Sequence, residues 1–545
     1  MKRVLVAIVV VLALHPVEAQ DHPSMALDKP VVIMSGLGNH HHPIRTTSAE
    51  AQGFFDQGLT LVYAFNHEEA ARSFRRAAEL DPQAAMPWWG VALAVGPNYN
   101  MDADPDHEKA AYDAVQKARA LAANGPANER DYVDALARRY SNDPKADLKK
   151  LAVEYKDAMH DLSARYPDDL DAATIYAESM MDLRPWQLWT LDGKPAEDTN
   201  EIIAVLESVL KRDPQHIGAN HYYIHAVEAS PHPERALVSA HRLETLAPAA
   251  GHLVHMPAHI YERTGFYADA AKANEAGAAA DRAYVDSTGQ HDSLYAMMYY
   301  SHNLHFLAMA ASMQGNFARA RAAGEQLAAN VGPGVKAMPM LEWFLPFPTY
   351  MLVRFNRWDG IAKLPAPDAS LGIATAAWHY ARGIAFAAKG EAAKAQVERQ
   401  ALAAATEKQP ADAMYGYNSA RIVLGLALEV LKARIAAAQG DRKASIEHWR
   451  KAVAIEDGLN YDEPTDWYYP VRESLGAALF LDGNRTEAEK VFRDDLDRNP
   501  RNPRSLFGLL ETLKAENKTA DAEWVRQEFG QAWKNADVEL RMSDL

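Results

Sequence analysis

The sequence predicts an all-α fold, a superhelix of stacked helical hairpins with loop insertions between them. Alanine is abundant and 48% of the 545 residues are hydrophobic, which is typical of a folded, helix-rich chain rather than a disordered one. Pairs of amphipathic segments return along most of the chain, as in repeat architectures. The length exceeds one compact core, so several domains or an elongated array is expected.

The first 19 residues are interpreted as a secretory signal peptide. Lys2 and Arg3 supply the charged start, and the apolar run 4–14 is too short to span a bilayer. Small residues around Ala19 predict cleavage there, with a mature start near Gln20. We therefore expect a periplasmic or secreted protein without a membrane span.

Charge and cysteine usage restrict the classes of function. The chain has no cysteine, which excludes disulfides, thiol nucleophiles, thiolate metal sites and iron–sulfur clusters. Its formal net charge of -16 makes nucleic acid and anionic membranes poor partners, so neither is expected. No glycine-rich phosphate loop, nucleophile elbow or dinucleotide fingerprint was found.

The segment 20–50 is predicted to be an irregular N-terminal arm that contains His40-His41-His42-Pro43. One interpretation is an exposed polar arm. The other is an arm that folds over a functional site and adds a ligand to it.

The first clear repeat lies at 51–82. It contains two amphipathic segments whose small and large residues alternate at helical spacing: Phe54, Gly58, Leu61, Ala70, Phe74 and Ala77. A glycine or alanine lets two helices cross closely while large residues fill the space beside it, and Asp81-Pro82 ends the second helix. This unit resembles the tetratricopeptide repeat, a helix-turn-helix of about 34 residues.

Further copies of the unit cover most of the chain and divide it into two predicted halves. An N-terminal solenoid at 51–330 is joined by a Pro-rich connection at 331–370 to a C-terminal solenoid at 371–545. Longer inserts rich in Pro, Trp, Tyr and Asp interrupt the units at 97–130, 184–200, 281–300, 331–370 and 457–468. Long inserts of a repeat array form loops, often on its binding face.

Metal-ligand side chains concentrate in the middle units. Three segments carry them at helical spacings of three and four, which keep them on one helix face. The residues are His221, His225, Glu228, His252, His255, His259, His302 and His305. We expect the strongest ligands to be the histidines at 221, 225, 252, 255 and 259, followed by Glu228 and His302.

The histidines also recur at equivalent places in successive units. Offsets of seven and eleven from the proline that closes the preceding unit are occupied twice, by His221 and His225 and by His255 and His259. The tetratricopeptide resemblance implies that these offsets line the concave groove. Because neighbouring helix axes lie about 8–10 Å apart, imidazoles on adjacent helices can converge on one point.

The cluster predicts a bound transition metal, either Fe, Cu or Zn. Eight ligands exceed one tetrahedral shell, so two metals bind or some residues orient the others. Candidates for that orienting role or for substrate contact are Glu178, Asp292, Tyr222, Tyr299 and Arg472. No catalytic residue could be assigned.

The sequence is compatible with three functions. The protein is a metal-dependent enzyme acting on a small molecule, a scaffold that binds a peptide or protein in its groove, or a metal storage or delivery protein. A buried pocket beside an incomplete coordination shell favours the enzyme, a complete shell favours storage, and a wide groove with solvated histidines favours the scaffold.

Overall fold

The structure is a computed structural model that describes residues 30–545, and the predicted signal peptide lies outside this range. The described chain consists of α-helices joined by short turns and longer loops. The helices are α1 (Ala49–Tyr63), α2 (His67–Leu80), α3 (Met86–Val95), α4 (Pro105–Ala122), α5 (Ala127–Leu136), α6 (Leu148–Arg165), α7 (Leu170–Met181), α8 (Thr199–Arg212), α9 (Ile217–Glu228), α10 (Leu237–Leu246), α11 (Gly251–His255), α12 (Pro257–Arg263), α13 (Tyr267–Thr288), α14 (Ser301–Met313), α15 (Phe317–Val331), α16 (Phe347–Arg354), α17 (Trp358–Ile361), α18 (Gly372–Ala388), α19 (Ala392–Glu407), α20 (Ala420–Ala438), α21 (Arg442–Glu456), α22 (Arg472–Leu481), α23 (Arg485–Arg498), α24 (Pro503–Ala515) and α25 (Thr519–Ala532).

Shorter elements complete the described chain. A two-stranded antiparallel hairpin pairs β1 (Met414–Tyr415) with β2 (Asn418–Ser419). A π-helical turn, Tyr295–Tyr300, leads into α14, and 3₁₀ turns occur at Pro233–Ala236, Pro339–Phe344 and Met542–Asp544. The predicted Pro-rich connection at 331–370 contains the last part of α15, one 3₁₀ turn, α16 and α17.

The hairpin turns follow from local sequence. Asn316 caps α15 by accepting a 3.0 Å hydrogen bond from the Arg319 amide, and Gly315 before it has φ +74°. Left-handed backbone of this kind costs glycine little, so glycine is favoured where one helix ends and the next begins. The same conformation occurs at four further turn glycines, Gly265, Gly390, Gly440 and Gly483.

Close helix crossings occur where the repeat pattern predicts them. A Cβ added to Gly58 or to Gly90 would lie within 2.6 Å of the Phe74 ring, so these glycines let α1 and α3 approach α2. Gly476 and Gly508 flank Phe492 in the same way near the C-terminus. The prediction of an all-α solenoid of tetratricopeptide-type helical hairpins is confirmed.

The hydrophobic interior of the described chain forms two large clusters. One joins residues from Leu37 to Ala271 with parts of α14 and α15, and the other runs from Ala278 to Leu545. The C-terminal hairpins pack back on the middle of the chain, where the Tyr267 hydroxyl donates to the Pro500 carbonyl at 3.2 Å. The predicted division into two solenoids at 331–370 stays a prediction.

None of the helices in residues 30–545 has the length and apolarity to cross a membrane.

Candidate metal centre

Six of the predicted histidines and Glu228 lie together on α9, α11, α12 and α14. Their helical spacing places them on the helix faces that meet one another. The same faces lie next to the turn between α1 and α2. All except His302 are at most 2% exposed, and His302 is half-buried. The site is therefore an enclosed centre rather than a solvated groove.

The first group of three consists of His221, His225 and His252, whose ligand nitrogens all lie within 4.8 Å of one another. The Nε2 atoms of His221 and His252 are 3.2 Å apart. The Nε2 atom of His225 is buried without a hydrogen-bond partner.

The second group of three consists of His255, His259 and His302. The Nε2 atoms of His255 and His259 are 2.8 Å apart, and the Nε2 atom of His302 lies 3.1 Å from the first and 3.4 Å from the second. Two nitrogens bound to one tetrahedral zinc ion at 2.0–2.1 Å are about 3.3 Å apart, so these spacings fit a shared metal.

The hydrogen bonds of the Nδ1 atoms fix which nitrogen carries the proton. The Nδ1 of His221 donates to the Tyr63 carbonyl at 2.6 Å, and that of His255 to the Asn274 side-chain oxygen at 2.6 Å. The Tyr63 carbonyl has no hydrogen to donate. The Asn274 atom that faces His255 is the oxygen, because its amide nitrogen donates to the Ala270 carbonyl. In the neutral ring, Nε2 of each histidine is therefore a bare lone pair directed at its neighbours.

Glu228 joins the two groups. One carboxylate oxygen accepts from Nδ1 of His225 at 2.8 Å and the other accepts from Nδ1 of His259 at 2.5 Å. Burial alone would raise the pKa of Glu228, but His259 and His225 outweigh it and lower that pKa to about 2. Glu228 thus orients one histidine of each group, as carboxylates behind metal-bound histidines do.

The surroundings favour the neutral form of five of the imidazoles. Burial lowers the pKa of His221, His252, His255 and His302 well below the usual range, and neighbouring histidines lower it further. The pKa of His225 is also lowered, chiefly by burial. Metal binding requires a neutral imidazole, so the environment provides the form that a metal ion needs.

Phe65 forms one wall of the first group. Its ring centroid lies 4.5 Å from that of His221, 5.2 Å from His252 and 5.7 Å from His225. The residue occupies the turn between α1 and α2 with φ +56°, the left-handed conformation that other hairpins of the chain give to glycine. A bulky residue in this conformation is strained, and such strain concentrates at functional sites.

A hydrogen-bonded chain of side chains covers the centre. The Trp186 indole N–H donates to the Asn100 side-chain oxygen at 3.2 Å, and the Asn100 amide donates to the Tyr299 hydroxyl at 3.1 Å. The ring centroids of Trp186 and His225 are 5.6 Å apart, and those of Tyr299 and His252 are 5.2 Å apart. Tyr299, a predicted neighbour of the site, therefore lies on it.

The structure places His305 apart from both groups. Its ring lies among Trp343, Phe344 and Phe347, with centroids 5.1, 5.6 and 4.0 Å away, and neither ring nitrogen has a hydrogen-bond partner. Burial lowers the pKa of His305 to about 3. This histidine is an uncharged core residue in the structure.

Replacing His305 by phenylalanine is expected to make the protein more resistant to acid. Between pH 6.5 and pH 3 the unfolded chain binds a proton at His305 that the folded chain does not, so stability falls as the pH falls. The substitution removes this loss, which is about 2 to 3 kcal/mol between pH 6.5 and 4.5. Urea unfolding of both proteins at the two pH values measures the effect, with the exposed His291→Gln as control. An unchanged pH dependence in H305F contradicts the prediction.

The other predicted neighbours take different positions. Tyr222 is buried with its ring 5.4 Å from that of His221, so it packs against the first group. Glu178 is buried behind it, where burial raises the pKa of its carboxyl well above the usual range. Asp292 is exposed in the loop after α13, and Arg472 forms a bidentate pair with Asp457 at 2.6 and 2.7 Å, so neither joins the cluster.

The histidine arm joins a different cluster. Nδ1 of His42 lies 2.8 Å from one oxygen of Asp171, and Nε2 of His40 lies 3.0 Å from the other. His216 contributes a third imidazole at 3.3 Å, while its Nδ1 accepts from the Ala219 amide as the cap of α9. Of the two interpretations of the arm, the structure favours folding onto a polar cluster, and that cluster is not the one at Glu228.

Sequence reasoning missed several residues that shape the centre. Phe65, Asn274, Asn100 and Tyr63 reach it from distant segments, and no local spacing marks them. Trp186 lies in an insert whose aromatic content was a weak signal. Its φ of +59°, rare for a bulky side chain, is visible only in the structure.

Comparisons with known proteins found only distant structural matches. No protein-family model matches the chain, and the search of curated proteins found no match. Matching solved structures include a human IFIT1 dimer with m7Gppp-AAAA, which is 14% identical, covers 91% of this chain and 92% of that one, and has a TM-score of 0.31. The Cut9–Hcn1 hetero-tetramer of the APC/C is 13% identical over 86% of this chain and 78% of that one, with a TM-score of 0.29. These low scores carry no inference about ligands, and the expected lack of a nucleic-acid partner stays a prediction.

Proposed function

We propose that the protein binds two transition-metal ions in adjacent three-histidine groups and uses them as the catalytic centre of an enzyme acting on a small organic molecule. The observation that carries the proposal is the set of Nε2 lone pairs directed at one another. In the second group, His255 and His259 both donate through Nδ1, so in the neutral form of both rings their Nε2 lone pairs face each other at 2.8 Å. A bound cation relieves this repulsion.

The donor set supports zinc, copper or iron as the metal. Each group offers three imidazoles, with no thiolate, and Glu228 is occupied by the Nδ1 atoms of His225 and His259. Catalytic metal sites have three protein ligands and leave a position for water or substrate, whereas structural sites have four. Three imidazoles in each group therefore favour catalysis over storage or delivery.

The enclosed position of the centre argues against a peptide scaffold that uses the histidines as a solvated groove. His221, His255 and His259 are fully buried, and side chains from distant loops cover them. When bound, a metal of this class supplies a Lewis acid or an activated water. The chain's own residues hold Nδ1 of His221, His225, His255 and His259 in hydrogen bonds and exclude bulk water.

Elemental analysis of untagged protein, purified from the host without added metal or chelator, tests the metal binding. About two metal ions per chain are expected. The pair H221A/H252A and the pair H255A/H302A should each reduce the content to about one, while the exposed His232→Ala leaves it unchanged. Metal-free wild-type protein, or full content in both paired variants, contradicts the proposal.

Azide binding to the cobalt-substituted protein separates catalysis from storage. An available coordination position predicts a saturable change in the visible cobalt spectrum on addition of azide. A complete coordination shell, as in a storage protein, predicts no change, and that result would favour the storage or delivery alternative.

A further inference from the structure

A cavity of about 720 Å³ lies beside the metal centre and opens toward solvent. Its lining includes four aromatic side chains and two arginines: Trp186, Trp189, Tyr417, Tyr461, Arg263 and Arg498. Two of the predicted inserts, the loop before α8 and the segment before α22, meet the loop after α9 here. The residues Ala229 and Ser230, which follow Glu228 directly, also line the cavity.

Trp186 separates this cavity from the histidines. Trp186 lines the cavity, and its ring centroid lies 5.6 Å from that of His225. The backbone of Trp186 is held at φ +59° and its indole N–H donates to Asn100. The strained backbone and the hydrogen bond fix the ring where it can face both a ligand and the metal centre.

The wall next to Trp186 comes from the β-hairpin. Tyr417 lies between β1 and β2, and its ring centroid is 5.0 Å from that of Trp186. The Asn418 amide donates to Asp466 at 2.6 Å, and Asn460 donates to the Tyr417 carbonyl at 3.0 Å, so the hairpin is anchored. Tyr417 itself is 36% exposed, which leaves an aromatic face available at the cavity entrance.

Two arginines contribute positive charge to the lining of the cavity. Arg263 is half-buried, and its Nε donates to the Glu228 carbonyl at 3.0 Å, which holds the guanidinium next to the centre. Its guanidinium carbon lies 5.7 Å from the Tyr461 ring centroid. Arg498 lines the same cavity with an exposed side chain, and its Nη1 lies 3.3 Å from Asp457, while Nε of Arg263 lies 3.9 Å from Glu463. Asp192, the carboxylate among the described lining residues, is paired with Lys194 at 2.6 Å.

We infer that this cavity binds an aromatic ring that carries a carboxylate, as in a free aromatic acid or the C-terminal aromatic residue of a peptide. The ring packs against Trp186 and Tyr417, and the carboxylate binds Arg263 and Arg498. Aromatic side chains favour planar rings, and arginine binds carboxylates in two-point geometry. The inference names the substrate class of the proposed enzyme and in that respect rests on the proposed function.

Isothermal titration of the full-length, metal-loaded protein with 3-phenylpropionate and with a short peptide ending in phenylalanine tests the inference. Saturable binding of at least one probe is expected. The amide 3-phenylpropionamide and the non-aromatic 3-cyclohexylpropionate should each bind about tenfold more weakly, which corresponds to about 1.4 kcal/mol. Binding of the acid alone identifies a small-molecule substrate, and binding of the peptide alone identifies a chain terminus.

Variants locate the bound ligand. W186A and Y417A are each expected to weaken binding about tenfold or more. The matched control is W524A, because Trp524 is 63% exposed on α25 and does not line the cavity. Lack of binding by both probes, or wild-type affinity in both W186A and Y417A, overturns the inference.

The same titration on protein stripped of metal separates this inference from the proposed function. If the purified protein contains no metal and still binds a probe, the cavity assignment is supported and the proposed metal centre is wrong. Two metal ions per chain without binding of either probe supports the metal centre and removes the cavity assignment.

Discussion

Replacing Glu228 by glutamine is expected to weaken metal binding in both histidine groups, by about ten- to a hundredfold in the more affected one. The two carboxylate oxygens accept from His225 of the first group and His259 of the second. A glutamine side chain offers one acceptor oxygen, which is uncharged and therefore holds its histidine more weakly. It directs an N–H group at the other histidine, which then loses its orientation. Competition of metal-loaded protein with a chromophoric chelator measures both affinities.

Asn274→Leu provides the matched control for E228Q. The Asn274 oxygen holds only His255, so this substitution should weaken the second group and leave the first unchanged. If E228Q also affects a single group, or neither, Glu228 does not link the two sites.

Replacing Glu473 by glutamine is expected to destabilise the C-terminal half by about 3–5 kcal/mol. Glu473 forms a bidentate ion pair with Arg354 at 2.5 and 2.9 Å, and both side chains are at most 3% exposed. Asn502 also donates to Glu473 at 2.9 Å. Removing the negative charge leaves a buried guanidinium without its counter-charge. Thermal unfolding followed by circular dichroism measures the loss.

The double variant R354M/E473L tests the reason for that loss. Both buried charges are then removed together, so it should be less destabilised than E473Q. A larger loss of stability in the double variant than in E473Q would show that packing around the pair, rather than an uncompensated charge, determines the stability. Metal content should be unchanged in every folded variant, because neither residue lies in the histidine groups.

The sequence was sufficient for the fold because hairpin repeats depend on local pattern. Gly58 and Phe74 occupy the helix crossing that their spacing predicts. Helical periodicity likewise placed His252, His255 and His259 on one face, even though Pro257 divides the predicted helix into α11 and α12. Such features need only a few neighbouring residues.

The remainder of the site depends on contacts between distant segments. His305 lies fifteen residues before Ala320, as His255 lies fifteen before Ala270. The segment 343–347 nevertheless packs against His305 and separates it from the cluster. The bridge through Glu228 depends on side-chain rotamers that periodicity does not define. The arm at His40 and His42 reaches Asp171 across about 130 residues of sequence.

The contact of Phe65 with the histidines changes how the repeat array can come apart. In an open solenoid each repeat touches only its neighbours, so the terminal repeats detach at little cost. Here the first hairpin supplies both the Phe65 ring and the Tyr63 carbonyl to His221, 158 residues away from Tyr63. Unfolding of that hairpin therefore exposes the histidine groups in the middle of the array. A metal ion bound to these histidines would stabilise the folded hairpin and oppose unfolding from the N-terminal end.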